Sequence, residues 1–409
     1  MKDKSLLPLK ENVSKKKILK KRLEELLPEM MKKTDSHMWV VIGNENHLDP
    51  IMPTLLPDDI DLGRLTIVVF CFHNGRFERH IISRAFTESD DLFKADFNNK
   101  YDDEWGSLKR IVDRCKPKNI MINFSDAIKL CDGLTYTNYK RLNERLGDYS
   151  SKLESSEELA LMWLNKRTKK ELDIFKTIVK KTEEIIENVF STSEISKLTT
   201  EKLEGKLSQN ADDLGMTVWY NKVDFQRKGK ASLFNKGVIQ PGDLIHCDFG
   251  VRHLGLSSDI QKLFYLPEKC ESDIPENFKI FLEQANHLQT ILSNCFSSGC
   301  KGDEILRNAR HQMRKEKING KIYSHPLGYY GHGSAPIIGR YNQQNGVPLE
   351  GDHAVYDNSC WAIELCVIGN VPEWNNQRVH IFVEDNAVLF ENVIRFVSGR
   401  QQFFNILEG

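Results

Sequence analysis

Two aspartates, Asp248 and Asp259, stand eleven positions apart on a stretch that reads as a β-hairpin. The first strand is Leu244-Ile245-His246-Cys247-Asp248-Phe249-Gly250 and the return carries Leu256-Ser257-Ser258-Asp259-Ile260. Downstream, Trp361-Ala362-Ile363-Glu364-Leu365 and Phe382-Val383-Glu384-Asp385 each place an acid inside an apolar run. A carboxylate buried without a partner costs several kcal/mol, so acids in such settings call for a cation. With a histidine-bearing glycine-rich loop between them, these acids hold enough oxygen and nitrogen donors for a two-metal site. Between two such cations a water gives up its proton near neutral pH and becomes a nucleophile. For the aspartates alone, a turn acid before Gly250 and a local cap at Asp259 explain as much. The histidine and both glutamates tip the reading toward metal.

The order of these residues resembles the pita-bread metallopeptidases: aminopeptidase P, prolidase, methionine aminopeptidase and the amidinohydrolase creatinase. The hairpin pattern of that family is matched by Gly242-Asp243-Leu244-Ile245-His246-Cys247-Asp248-Phe249-Gly250 and Ser258-Asp259-Ile260, and its two glutamate strands by Ala362-Ile363-Glu364-Leu365 and Val383-Glu384-Asp385. The likeness covers about residues 165–400, and the first half matches the creatinase and aminopeptidase P branch more loosely. The resemblance implies an α+β chain: a C-terminal pita-bread (creatinase/aminopeptidase) fold at 161–409 behind an N-terminal α/β creatinase-like domain at 1–160. Carried over residue by residue, it makes Asp248, Asp259, His325, Glu364 and Glu384 the metal ligands, with Asp259 and Glu384 bridging. Glu364 doubles as proton shuttle. His332 touches the substrate carbonyl. His325 and His332 lie seven apart, and the family register makes the first the ligand, although Gly331-His332-Gly333 taken alone suggests the reverse.

The implied cofactors are two divalent ions, manganese first, with iron, cobalt or zinc compatible with the donors. The implied reaction is hydrolysis of an Xaa-Pro peptide bond by an aminopeptidase or dipeptidase. A creatinase-like amidinohydrolase, or another small-molecule C–N hydrolase or lyase, is the alternative, and a metal-free interaction module is a more distant one. Departures from the family motivate the alternatives. Phe225–Asn235 contains no histidine where peptidases of this branch carry one, Lys321 stands where many place another, Phe382 replaces a frequent arginine, and Gln261 replaces a threonine. Arg227, Lys228, Lys230 and Arg340 offer cations for a substrate carboxylate, though solvated loop charges explain each as well. Trp361 and Trp374 are pocket candidates that pack more commonly in a core. Cys247 should face away from Asp248, because side chains alternate along a strand.

The elements that must position this set follow from periodicity. Thr168-Lys169-Lys170-Glu171 has the form of a capping box before a long helix. A second helix over about Thr200–Leu214 stops at Gly215, and two more are expected near Glu276–Ser293 and Asp303–Lys317. Before them, a helix at Lys15–Lys33, strands at Met38–Ile42, Leu65–Phe70 and Asn119–Asn123, and a helix at Trp105–Cys115 suggest an α/β layer. In that region His37, His47, His73 and His80 read as scattered, with no dense ligand cluster.

Bulk properties set the frame. The 409 residues are 40% hydrophobic and 28% charged, as in a soluble globular protein of two domains. A net charge of −1 gives no overall field toward nucleic acid or acidic lipid. The lysines between positions 15 and 21 interleave with an apolar helical stripe and read as a solvated face. Nine cysteines without a CxxC pair fit a reducing compartment. The start, Met1-Lys2-Asp3-Lys4-Ser5, shows no secretory signal, and no window reaches the ~20 apolar residues of a membrane span. A cytoplasmic protein is expected, with a peptide or small-molecule substrate, no nucleic-acid or membrane partner and, by resemblance alone, a homodimer.

Overall fold

The chain is described by a computed structural model that covers residues 14–408 apart from 59, 61, 87, 98–102, 270 and 272. The opening segment read for a targeting signal lies outside the described residues. Two compact units divide the chain, one over Val13–Leu164 and the other from Asn165 onward.

The first unit is built on a six-stranded sheet: β1 (Met38–Gly43), β2 (Thr66–His73), β3 (Arg76–Ser83), β4 (Lys94–Ala95), β5 (Ile120–Ile122) and β6 (Leu153–Ser155), in the order β4-β3-β2-β1-β5-β6. Valine and isoleucine crowd β1 and β2, and the helix Glu104–Cys115 packs Leu108, Ile111 and Val112 onto them. The helix expected over Lys15–Lys33 forms, but its turn at Arg22–Leu26 widens to π geometry. The expected strand at 65–70 runs on to His73 and turns into β3 through Asn74-Gly75, both at positive φ. One expectation is corrected. His80 is not scattered: it sits with Cys71 and Glu78 in a group whose donor atoms lie within 4.8 Å of one another. Glu78 is the ladder partner of Cys71 on the neighbouring strand, so all three share one face.

The second unit opens with the helix Lys169–Thr192. Thr168 accepts from the Glu171 amide while the Glu171 carboxylate accepts from the Thr168 amide, which satisfies two free donors. The helix Thr200–Asp213 follows and ends through Gly215 at φ +71°, as its sequence suggests. The sheet consists of β7 (Thr217–Gln226), β8 (Leu244–His253), β9 (Leu256–Ser257), β10 (Ile260–Tyr265), β11 (Gly320–Ile322), β12 (His325–Gly328), β13 (Gly331–His332), β14 (Ser359–Val371) and β15 (Gln377–Phe390), with short edge additions. Its main path runs β13-β12-β14-β15-β10-β8-β7.

One face of that sheet is largely apolar, with Lys262 paired to Glu183 and Asp385 as its charged exception. Ile363, Leu365 and Val383 meet the helices Glu276–Ser293 and Gly302–Lys315. Ile245, Cys247, Phe249 and Ile260 meet the helices Lys169–Thr192 and Thr200–Asp213. Alternation therefore turns the neighbours of these residues to the opposite face. Trp361 and Trp374 belong to the apolar core and hold no place near the acids. Among the described residues, no helix is long and apolar enough to cross a membrane.

Candidate metal centre

The strand registers lay the polar residues out in a line. Glu364 on β14 pairs with Glu384 on β15, Glu384 with Gln261 on β10, Gln261 with Asp248 on β8, and Asp248 with Lys222 on β7. Five adjacent strands thus present one row across the face away from the helices. Asp259 comes from the break between β9 and β10, where ladder bonding lapses. The Asn386 carboxamide replaces it, accepting from the Asp259 amide at 3.1 Å and donating back to the Asp259 carbonyl. On the far side, the Ser324 hydroxyl donates to the Glu364 carbonyl and accepts from its amide, both at 2.9 Å, and His325 follows directly. Side-chain bonds to the main chain thus fix where the Asp259 and Glu364 carboxylates start.

These residues converge. His325 Nε2 lies 3.5 Å from Glu384 and 3.8 Å from both Asp259 and Glu364. Asp248, Asp259 and Glu384 share a second group within 4.8 Å. His332 Nε2 reaches Asp259 at 3.8 Å, but its ring is exposed, stands edge-on to His325 and packs against Trp219. Of the two histidines, only His325 is buried among the acids.

Burial sets the electrostatics. Asp259 is 2% and Glu384 1% exposed, and desolvation drives both carboxyls far above the usual range, with neighbouring acids adding to the rise. Glu364 rises for the same two reasons, and Asp248 is pushed up to about 6 by burial, against the pull of His246 and Lys222. Burial and then His332 hold His325 down to about 3, so its imidazole is neutral. Its Nδ1–H donates to the Pro326 carbonyl at 3.1 Å, which leaves the Nε2 lone pair facing the acids.

The donor set fits a divalent cation on a specific observation. Asp248 Oδ1, Asp259 Oδ1, His325 Nε2 and Glu384 Oε1 are all buried without a hydrogen-bond partner. Buried polar atoms are ordinarily satisfied, and four such orphans facing one space form a hard-donor cradle.

Some residues near the centre were not legible in advance. The Gln261 amide, 4% exposed, donates to Glu364 Oε1 at 2.7 Å and Asp248 Oδ2 at 3.3 Å. Tyr220 lies close enough to all four acids to have its phenol raised, after burial, by their charge. Trp219 sits at a register shift in β7, donates to the Ser258 carbonyl and backs His332. Two of the candidate substrate cations are committed elsewhere: Arg227 grips Asp243 at 2.6 Å and Arg340 pairs with Glu350. Cys247 faces the helices, as alternation requires.

The metallopeptidase family M24 model matches residues 166–394. The chain belongs to that family. No curated protein matches the sequence. Solved structures extend the likeness to most of the chain. An X-Pro aminopeptidase from Thermotoga maritima superposes with a TM-score of 0.65 at 16% identity, covering 93% of this chain and 100% of its own. An Xaa-Pro dipeptidase from Bacillus anthracis gives 0.65 at 15%, covering 94% and 100%. The N-terminal domain of the FACT complex subunit SPT16 from chickpea, Cicer arietinum, gives 0.59 at 14%, covering 93% and 96%. At these identities the likeness is one of fold, the pita-bread fold with an additional N-terminal domain.

Proposed function

We propose that this M24 chain is a metal-dependent Xaa-Pro aminopeptidase or dipeptidase, with Asp248, Asp259, His325, Glu364 and Glu384 holding two divalent cations. The four orphaned, buried donor atoms are the observation that supports this most. Manganese suits the oxygen-rich set best, with iron, cobalt and zinc as alternatives. When bound, such ions supply positive charge at the reacting carbonyl and lower the pKa of water toward neutrality.

The chain's own groups supply the rest. Glu364 is the most accessible of the four acids after folding, with 18% of its side chain exposed against 1% for Glu384. It takes a proton from the attacking water and passes it to the leaving nitrogen. His332, at the exposed tip of β13, hydrogen-bonds the substrate carbonyl, and Trp219 keeps its ring turned to the centre. His325 stays a neutral donor throughout.

A small-molecule C–N hydrolase or lyase is the second reading. It is favoured by Phe382, which packs at a tilt against Phe234, His246 and His380 where the family often has a cation. Manganese-loaded protein offered Xaa-Pro dipeptides, longer Xaa-Pro peptides and creatine separates the two. Turnover of a proline substrate is expected, with Glu364→Gln lowering kcat by about 10²–10⁴-fold while elemental analysis finds its metal retained. Metal-replete protein inert toward every proline substrate defeats the peptidase reading, and turnover of creatine alone installs the second. A purified protein that takes up no metal would instead point to an interaction module. The proposal carries with it a homodimer and a cytoplasmic setting, the first checked by light scattering.

A further inference from the structure

The N-terminal unit brings together two cysteines that the hydrolytic chemistry does not use. Cys71 lies on β2, fully buried among Leu108, Ile111 and Val112 of the helix Glu104–Cys115. Cys115 closes that helix and is half-buried against the same apolar cluster. The two Sγ atoms are 3.2 Å apart, hydrogen-bond distance for thiols, across 44 residues of chain.

We infer that Cys71 and Cys115 form a dithiol that hydroperoxides oxidise to a reversible disulfide joining β2 to the end of that helix. The Cys115 sulfur attacks the peroxide O–O bond and takes one oxygen as a sulfenic acid, and the other oxygen leaves, protonated, as water or an alcohol. Cys71 then attacks that sulfur: the S–S bond forms, the S–O bond breaks, and the hydroxyl departs with the Cys71 proton as water. The two thiols together lose two electrons and the hydroperoxide gains them. The sulfurs must close by about 1 Å to reach bonding distance, within the range of side-chain rotation.

The surroundings assign the order of events. The Arg114 guanidinium lies beside Cys115, donating to Glu78 at 2.6 Å and to His80 Nε2 at 3.2 Å. The Cys71 thiol and Arg114 draw Cys115 down to about 7, while its own burial works against them. Cys71 is pushed up by its bond to Cys115 and by burial, so it keeps its proton. The less buried cysteine is therefore the one with thiolate character, and the fully buried one is placed to resolve it. Cys71, Glu78 and His80 also have metal-binding spacing. Their donors are engaged, however: Arg114 spans Glu78 and His80 Nε2, and His80 Nδ1 is bonded to Asp96.

Full-length reduced protein treated with one equivalent of hydrogen peroxide, alkylated and mapped without reduction tests this. One linked peptide pair, containing Cys71 and Cys115, is expected, lost on adding dithiothreitol. Oxidation should raise the melting temperature by several degrees. Cys115→Ser, at the half-buried position, should abolish the link and leave Cys71 free. Cys71→Ser, or Cys71→Ala should serine unfold the core, should leave a Cys115 sulfenic acid that dimedone traps. Complete alkylation of both thiols after peroxide overturns the proposal, as does a link to another cysteine. So does zinc that co-purifies with the full-length protein and is lost on Cys71→Ala.

Discussion

At position 261 a carboxamide stands between two acids. Gln261 Nε2 reaches Glu364 and Asp248, and both bonds fall on oxygens of carboxylates that burial has already made costly to ionise. A threonine, which the family pattern places here, is too short to span that gap. The amide therefore shares the task of satisfying the acids before any cation does. Gln261→Ala should lower the stability of chelator-treated protein by about 1–3 kcal/mol, and that of metal-loaded protein by less. Calorimetry with and without chelator checks this, and equal losses in both states would deny the amide its part. The sequence marks Gln261 only as a departure. Its reach across the row depends on β10 lying between β8 and β15, which is a property of register and not of local composition.

Among the elements, what was legible was local. The capping box at Thr168 and the stop at Gly215 are each specified within a few residues. The four acids and the imidazole of the candidate centre could be ordered from the same short motifs. The packing around His332 could not. Gly331 holds φ +100°, and a Cβ there would fall 2.3 Å from the Trp219 ring. Trp219 owes its position to a register shift that no pattern in β7 announces. Gly331→Ala should thus push the β13 tip off the indole. A fall in kcat of tenfold or more is expected, with metal content unchanged. Unaltered kinetics would show that His332 does not depend on this seat.

For the molecule as a whole, the first unit has a titration of its own. Asp49 is 0% exposed, and desolvation raises its carboxyl from 3.8 to about 6, against hydrogen bonds from the Ile51 amide and Asn123. The folded form therefore holds a proton that the unfolded chain has released. Its contribution is complete below about pH 4 and is lost as pH rises through about 6, up to about 3 kcal/mol. Urea midpoints from pH 4 to 7 should fall more steeply for the wild type than for Asp49→Asn, and parallel curves would refute the assignment. In the second unit, the line from Glu364 to Asp248 crosses four strands at right angles, like a seam. Its buried acids are costly to ionise, and a cation is what lets them carry charge together. Loading manganese should slow amide hydrogen exchange along β8, β10, β14 and β15 together, while leaving the first unit's exchange as it was. The catalytic ions, on this view, would also be the clasp that holds the sheet closed.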